Sequence, residues 1–532
     1  MFELKPAKFP LLLIGIISAA TLFLSHGLSA QSKTDSAIPV LLKRQENAPA
    51  ISQLLFGSQY NFFSAPTKDL LKNEYLLKTW EEMPVLALRY PGGTWGDHYL
   101  WDKPKSSYYA VGNAQTIITP EQFIENCYDI GAEPIFQVNT SMLNGEGSYI
   151  NPGKLEDIQA GADRAARWVY EANIRQQWGV RYWEIGNEVW IWLKPEEYAR
   201  YVVEYSKAMK AIDPTIKIIA CGLAKKVGPF EPVWLKFPDD PTWSRPEISN
   251  EPEAWNQALL DGADGYFDYI APHIYIESGD GNLAASERFA KTNALIHANH
   301  ALRFQSSLRN MTGELVKIAI TEWATNFRQS VPVRRSTVPL TEQYYYSLGN
   351  GLNTAFMFGK IVESSSEIAI LHSLDDFQTL WYWPRKELAE NGPLLHPVYY
   401  AMKLWGHHLG ETPLVVERGE CPQLAFEDTE FPAIYVYASE DSNNLYAVVI
   451  NLDPDRSHEV SLTFPEGLWE ETVELTWMKG NEISSQNFAA WDGAAPEEVL
   501  LTEESVTETE SGFPLMMPAH SMVGVTMPKQ QE

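Results

Sequence analysis

Two glutamates in this chain each close a short apolar run. Arg181-Tyr182-Trp183-Glu184-Ile185-Gly186-Asn187-Glu188 reads as a buried strand that stops on an amide beside a carboxylate, and Lys317-Ile318-Ala319-Ile320-Thr321-Glu322-Trp323 has the same form. A strand of Tyr, Trp and Ile has no structural need to end this way. One such glutamate is commonly no more than a solvated strand end. A pair is what cleavage of a glycosidic bond requires, with one carboxyl as acid and base and the other as nucleophile. Polar groups gathered at strand ends are in turn the property of a barrel mouth, where strands hand reactive side chains to the cleft.

The elements that must position such a pair recur along the chain. Strand-like runs occur at Leu54–Gly57, Val85–Tyr90, Glu133–Asn139, Arg181–Glu188, Lys217–Gly222, Tyr269–Tyr275, Lys317–Trp323 and Ile368–Asp375. Helical patterns separate most of them. Thr119-Pro120-Glu121 opens one with an N-cap, an N1 proline and a first-turn acid, and Gly131 ends it. Others cover Ile158–Asn173 and the stretch from Lys194-Pro195-Glu196 to Asp213-Pro214. Short apolar strands alternating with helices indicate a parallel sheet covered on both faces, and eight such units fit one closed barrel. No glycine-rich phosphate fingerprint follows the first strand, which argues against a dinucleotide fold. After about Gly410 the helices stop, and short strand-like runs separated by Pro, Gly, Asp and Asn mark a β-sandwich. The acidic, Ser/Thr-rich stretch 480–512 reads as loops. Residues 276–312 read as a long insertion whose Ser278-Gly279-Asp280-Gly281 lies on the mouth side. The expected fold is therefore α/β: a (β/α)8 TIM barrel over residues 51–408 with a C-terminal β-sandwich over 409–532. Residues 31–50 form an N-terminal segment that could add a strand to the sandwich.

Composition narrows the partners. The 532 residues carry 41 Lys plus Arg against 69 Asp plus Glu, a formal charge of −28, which disfavours nucleic acid and anionic membranes as partners. Cys127, Cys221 and Cys421 are odd in number and widely spaced, so neither a disulfide framework nor a zinc cage follows. At the N-terminus, Lys5 and Lys8 precede the apolar run Leu11–Leu24, and Leu28-Ser29-Ala30 is a tolerable cleavage site. Residues 1–30 then read as an export signal, and the protein as secreted or periplasmic with no membrane partner after cleavage. An uncleaved anchor is the alternative, although the run is short of the ~20 residues a membrane span needs.

The strand ends collect Gln59, Asn61, Arg89, Asn139, Asn187, Glu188, His273, Tyr275, Glu322, Trp323, His372 and Asp375. This set lacks the Cys/His/Asp cluster of a closed metal site. His273 and His372 with a glutamate form the one constellation that could take zinc, and neither a metal nor a cofactor is expected. His407-His408 reads as a surface pair. Arg89 lies in an otherwise apolar strand, where an unpaired guanidinium is costly, so it should meet a carboxylate, with Glu322 the natural candidate. Such a contact keeps a nucleophile ionised and aimed, and Tyr275 could donate a second hydrogen bond to it. Glu188 needs the opposite, a proton at working pH. Asn187 could bind the sugar hydroxyl beside the reacting carbon.

These residues resemble the retaining glycoside hydrolases with eight-stranded barrels (clan A), and most of all the α-L-arabinofuranosidases of glycoside hydrolase family 51. The likeness rests on Leu88-Arg89-Tyr90-Pro91-Gly92-Gly93, Gly186-Asn187-Glu188-Val189-Trp190, Glu197-Tyr198 with Asp213-Pro214, His273-Ile274-Tyr275 and Thr321-Glu322-Trp323. It implies that Glu188 is the acid/base, Glu322 the nucleophile, and Arg89, Asn187 and Tyr275 their supports. Two positions depart from the family's pattern. Thr94 stands where the family has an Asn after Pro-Gly-Gly, and Asn61 where it has a Glu after the first barrel strand. Both would touch the sugar, so weaker or altered activity on simple arabinofuranosides is expected. The sequence thus points to a secreted retaining glycoside hydrolase of arabinofuranosidase type acting on a plant or microbial polysaccharide or oligosaccharide. Glu188 and Glu322 are the catalytic pair. Arg89, Asn187, His273, Tyr275, Asn61, Thr94, Asn139 and Trp323 are the substrate-side residues. A β-xylosidase or endo-β-glycanase on the same scaffold, such as a family 39-like enzyme, is the alternative, and a non-catalytic carbohydrate-binding protein the rival of another class.

Overall fold

The computed structural model describes residues 37–59, 79–97, 99–102, 118–140, 155–227, 250–276, 284–298, 300–313, 316–325, 344–372, 395–467, 469–470, 472–487, 498–507 and 513–530. Their centre is a parallel sheet built from β2 (Gly57–Gln59), β3 (Ala87–Tyr90), β4 (Glu133–Val138), β5 (Tyr182–Ile185), β6 (Lys217–Cys221), β7 (Tyr269–Ala271), β8 (His273–Tyr275), β9 (Ala319–Ala324) and β10 (Ile368–Leu371). Its order is β7-β6-β5-β4-β3-β2-β10-β9-β8. The two end members are halves of one expected strand, split at Pro272, which has no N–H to give to a ladder. The Ile270 amide donates to Lys317 O at 3.0 Å, so the sheet closes on itself as a TIM barrel.

Helices cover the barrel, and their ends follow from local chemistry. At Pro120–Ile130 the Thr119 hydroxyl accepts from the Gln122 amide while the Gln122 side chain accepts from the Thr119 amide. Gly131, at φ +71°, ends the helix in the left-handed region. Phe123, Ile124 and Cys127 form its buried stripe. Phe136, on the outer face of β4, lies between Trp168 at 4.8 Å and Trp183 at 5.3 Å between ring centroids. Aromatic packing of this kind fixes where each strand sits, and so where its last residue points.

The barrel's interior has two levels. Ala87, Ile135, Tyr182, Ile219, Tyr269, Ala271, Ala319, Ile368 and Ile370 form an apolar plug. One inward step further along β2 to β5 the residues become Gln59, Arg89, Gln137 and Glu184, all buried. The strands thus change from packing to polar chemistry within two residues, as side-chain alternation permits.

A nine-stranded, mostly antiparallel sheet forms the second layer system. It includes β1 (Ile38–Arg44), which pairs antiparallel with Thr412–Arg418 and parallel with His458–Thr463. Its inner face is a separate core of Val436, Val449, Leu475, Val525 and their neighbours. Its other face meets the barrel helices, with Tyr437 5.6 Å from Trp405 between centroids, and with Gly359 leaving room for the Tyr435 ring.

Two expectations are corrected, and a third falls partly outside the described residues. Within 480–512, read as loops, Leu500–Thr507 is a strand paired with Thr472–Lys479. Its charges suit an exposed sheet edge, which natural proteins protect in this way. The 276–312 insertion contains two helices, Ala285–Ala298 and His300–Thr312, while its Ser278–Gly281 stretch lies outside the described residues. His408 is not a surface residue. It is buried, with Nδ1 2.8 Å from Leu404 O.

Candidate active site

Arg89 is the hub of the polar level. It is fully buried, and each of its nitrogens has a partner. Nε donates to Glu184 Oε2 at 2.5 Å, Nη2 to Asn187 Oδ1 at 2.9 Å, and Nη1 to both Glu322 Oε1 at 2.7 Å and Gln59 Oε1 at 2.8 Å. A guanidinium suits this role because it offers five donors in a rigid fork. Burial alone would drive its charge off, but Glu184 and Glu322 reverse that and raise its pKa.

Glu322 reaches the hub through a backbone irregularity. The pairing of β10 with β9 runs Ile368 with Ala319 and Ala369 with Ile320, then slips so that Leu371 meets Trp323. β9 therefore has one extra residue, and its alternation changes phase. Without the bulge, strict alternation from Ala319 would turn Thr321 and Trp323 inward. With it, Glu322 faces the barrel axis opposite His273. Tyr275 OH donates to Glu322 Oε2 at 2.5 Å, and His273 Nδ1 lies 3.4 Å from that oxygen. Burial works against the Glu322 charge. The positive fields of His273, His372 and Arg89, with the Tyr275 hydroxyl, outweigh it and hold this carboxyl well below the usual range.

Glu188 stands differently. β5 ends at Ile185, Gly186 turns the chain at φ +79°, and Glu188 itself takes φ +46°, ψ +33°. A left-handed conformation is uncommon outside glycine and is held here by its surroundings. The Asn187 amide donates to Asp97 Oδ1 at 3.0 Å, and Ile191 N donates to Glu188 O at 3.0 Å. The side chain of Glu188 is 28% exposed against 6% for Glu322, and its Oε1 lies 3.1 Å from His273 Nδ1. His273, edge-on to Trp190 at 5.4 Å, bridges the two glutamates. Burial opposes its protonation, but Glu322 and Glu188 together raise its pKa. One oxygen of Glu188, one of Glu322 and His273 Nδ1 all lie within 4.8 Å of one another. That trio could hold a metal ion by distance, although both Glu322 oxygens already accept from Arg89 and Tyr275.

The comparisons with known proteins agree with this geometry. Residues 79–259 match the family model described as the alpha-L-arabinofuranosidase 1 domain. Alpha-L-arabinofuranosidase C of Emericella nidulans is 23% identical over 84% of this chain and 86% of its own. The chain is a glycoside hydrolase most like the family 51 arabinofuranosidases. Two solved structures carry the same fold over 92% of this chain and 100% of theirs. The arabinose complex of the Thermotoga maritima alpha-L-arabinofuranosidase is 22% identical with a TM-score of 0.64, and the family 51 enzyme of Thermotoga petrophila is 21% identical with 0.64.

In this hydrolase the barrel mouth brings together Arg89, Asn187, Glu188, His273, Tyr275 and Glu322. Trp323 and Asn139 are not part of that cluster, and the side chains of Thr94 and Asn61 lie outside the described residues. Trp323 is fully buried on the opposite face of β9, stacked 6.1 Å from Phe358, because the bulge that turns Glu322 in turns Trp323 out. Asn139 donates to Tyr99 O at 3.3 Å and its carbonyl accepts from Tyr205 OH at 3.0 Å, so it ties the mouth to a helix. Thr94 sits in the helical turn Gly93–Gly96 with its side chain outside the described residues, and Asn61 lies outside them altogether.

Sequence reasoning missed the buried residues behind the pair. Glu184 is the second carboxylate on Arg89, and its place two residues after Tyr182 on the inward face was a usable signal. Asp97 is fully buried, and burial pushes its carboxyl well above the usual range despite the Asn187 amide. Gln137 Nε2 donates to Gly93 O at 3.2 Å and lies 3.5 Å from Asp97 Oδ1. Gly96 lets that contact form, since a Cβ there would fall 2.3 Å from the Gln137 carboxamide.

Proposed function

We propose that this glycoside hydrolase acts by double displacement with retention, releasing an α-L-arabinofuranosyl or closely related sugar from a larger carbohydrate. Glu322 attacks the anomeric carbon while Glu188 protonates the leaving oxygen. Glu188 then takes a proton from water as the glycosyl–enzyme is hydrolysed. The observation that carries this reading is the pair of carboxyl oxygens within 4.8 Å, one ionised and anchored and the other more exposed. Retaining pairs sit ~5–5.5 Å apart, and inverting pairs ~6.5–9.5 Å to admit a water. Arg89 and Tyr275 keep the nucleophile charged and aimed, His273 sets the spacing, and Asn187 presents its amide beside the reacting carbon.

The sugar is the finer part of the proposal. Thr94 and Asn61 alter two contacts expected to hold arabinose, so the preferred substrate is an arabinofuranosyl unit recognised together with its chain, with a β-xylosyl unit as the second reading. Hydrolysis of aryl arabinofuranosides, xylosides and glucosides, alongside arabinan and arabinoxylan oligosaccharides, tests this. The expected result is turnover on arabinofuranosyl substrates that improves with chain length. Binding without turnover across the whole panel contradicts it and favours a carbohydrate-binding protein. We also propose export, on the N-terminal Lys5, Lys8 and Leu11–Leu24 pattern. N-terminal sequencing of the mature protein, expected to begin near Gln31, checks it.

A further inference from the structure

Gln59 ends β2 and is almost wholly buried. Its Oε1 accepts from Arg89 Nη1 at 2.8 Å, and the same nitrogen donates to Glu322 Oε1 at 2.7 Å. This contact fixes which way the carboxamide faces, because a flipped amide would set its own N–H groups against those of the guanidinium. Nε2 therefore turns away from Arg89, and it has no hydrogen-bond acceptor among the described residues.

The glycines of Pro91-Gly92-Gly93 show what lies beside that nitrogen. A Cβ on Gly92 would fall 2.6 Å from Gln59 Cδ, so bare backbone is needed for the carboxamide to lie under this turn. A Cβ on Gly93 would meet only two described atoms within 4 Å: Gln59 Nε2 at 3.4 Å and Glu322 Oε1 at 3.8 Å. Among the described residues, and apart from Gly93's own chain neighbours, the space next to the nucleophile is thus flanked by the nucleophile's own oxygen and by an oriented donor. Polar groups buried without partners are costly, and at a binding site the ligand commonly supplies the partner.

We propose that Gln59 is a sugar-binding residue: its Nε2 donates to a hydroxyl of the sugar unit held against Glu322. This rests on the glycosidase reading above and deepens it. Gln59 would help select the sugar while its oxygen helps hold Arg89. Any ligand without an acceptor in that position would leave the donor unpaired, and a site built around a hydrogen bond discriminates strongly against such analogues.

The test couples a substitution to a deletion on the substrate. Gln59→Met keeps length and volume but has no donor. Its kcat/KM is compared with wild type on an aryl arabinofuranoside and on each of its monodeoxy analogues. On the parent sugar the variant should lose about tenfold or more. On one monodeoxy analogue wild type should fall by a similar factor, and the substitution should then cost less than about twofold. An equal loss on every analogue overturns the proposal and leaves Gln59 as an Arg89 acceptor alone. The ratio of parent to deoxy rates within one preparation is independent of the folded fraction. Gln59→Glu, which retains the acceptor for Arg89, gives the same readout if the Met variant folds poorly. If wild type cleaves no arabinofuranoside, the functional reading fails on its own. Gln59 is then judged with the monodeoxy series of whichever aryl glycoside wild type does cleave.

Discussion

The ends of β5 and β9 each deliver one glutamate to the same histidine, yet they are built in opposite ways. β9 uses a bulge inside the ladder, so Glu322 stays within the sheet, 6% exposed, and takes hydrogen bonds on both oxygens. β5 stops and turns, so Glu188 stands outside the ladder in a left-handed conformation, 28% exposed, with His273 as its side-chain partner among the described residues. Under the proposed mechanism, the difference teaches how two identical side chains acquire distinct roles. An ionised, immobile carboxylate suits nucleophilic attack. A carboxyl with water access can give up a proton and recover it. Environment separates the roles where residue type cannot.

The largest effects should come from erasing one side of that comparison. Glu322→Ala should lower kcat by on the order of 10^4-fold or more on every substrate, because no glycosyl–enzyme can form. Glu188→Ala should cost ~10²–10⁴-fold for poor leaving groups, and much less in the first step for an activated aryl group. Pre-steady-state bursts with such an aryl glycoside check this. A burst in the Glu188 variant and none in the Glu322 variant is expected, and equal behaviour would break the comparison.

A second group of variants separates anchoring from chemistry. Arg89→Ala strips the partner from two buried carboxylates, so it should destabilise by ~3–5 kcal/mol and lower kcat more than it raises KM. Glu184→Gln should keep the nucleophile's hydrogen bonds and cost mainly stability. Denaturant unfolding read beside kcat sorts the two. Near-normal turnover in Arg89→Ala would show that Glu322 does not need its guanidinium. Trp323→Ala should likewise act on stability, by ~3–5 kcal/mol as for other buried aromatic truncations, with KM little changed.

The smallest expected effect is at Asp97, which braces the β5 end. Its folded-state pKa is raised, so folded and unfolded chains both hold the proton at low pH. As pH rises through the ordinary value near ~4, the unfolded chain ionises first, and stability is lost until the folded-state pKa is passed. Asp97→Asn can still accept from the Asn187 amide but carries no such penalty. The melting temperature of the variant relative to wild type should therefore rise between pH 3 and pH 7 (roughly the span above the ordinary value). A difference that is flat with pH contradicts the buried-proton account.

Much of this was legible before any coordinates. The eight apolar runs gave the barrel, and the change of pattern after Gly410 gave the sandwich. Arg89 announced itself as a charge in an apolar strand, and its contact with Glu322 follows from the cost of leaving it alone. The orientation of β9 was not legible. A bulge leaves no mark in hydropathy, so Trp323 looked like a mouth residue when it is a core one. Asp97 and Gln137 were hidden for another reason. Each is an ordinary polar residue at a strand end or turn, and the close approach of Gln137 to the bare backbone of Gly96 shows only in three dimensions.

The central claim is that the two strand ends carry a nucleophile and an acid/base, and the anomeric configuration of the first-formed product tests it most directly. Followed by NMR, wild type should release a sugar with retained configuration. Glu188→Ala with azide should give the azide of retained configuration, because azide replaces the activated water on a glycosyl–enzyme. Glu322→Ala with azide should give the inverted azide, because azide then attacks the substrate itself. Initial inversion by wild type, or the same azide configuration from both variants, would contradict the account.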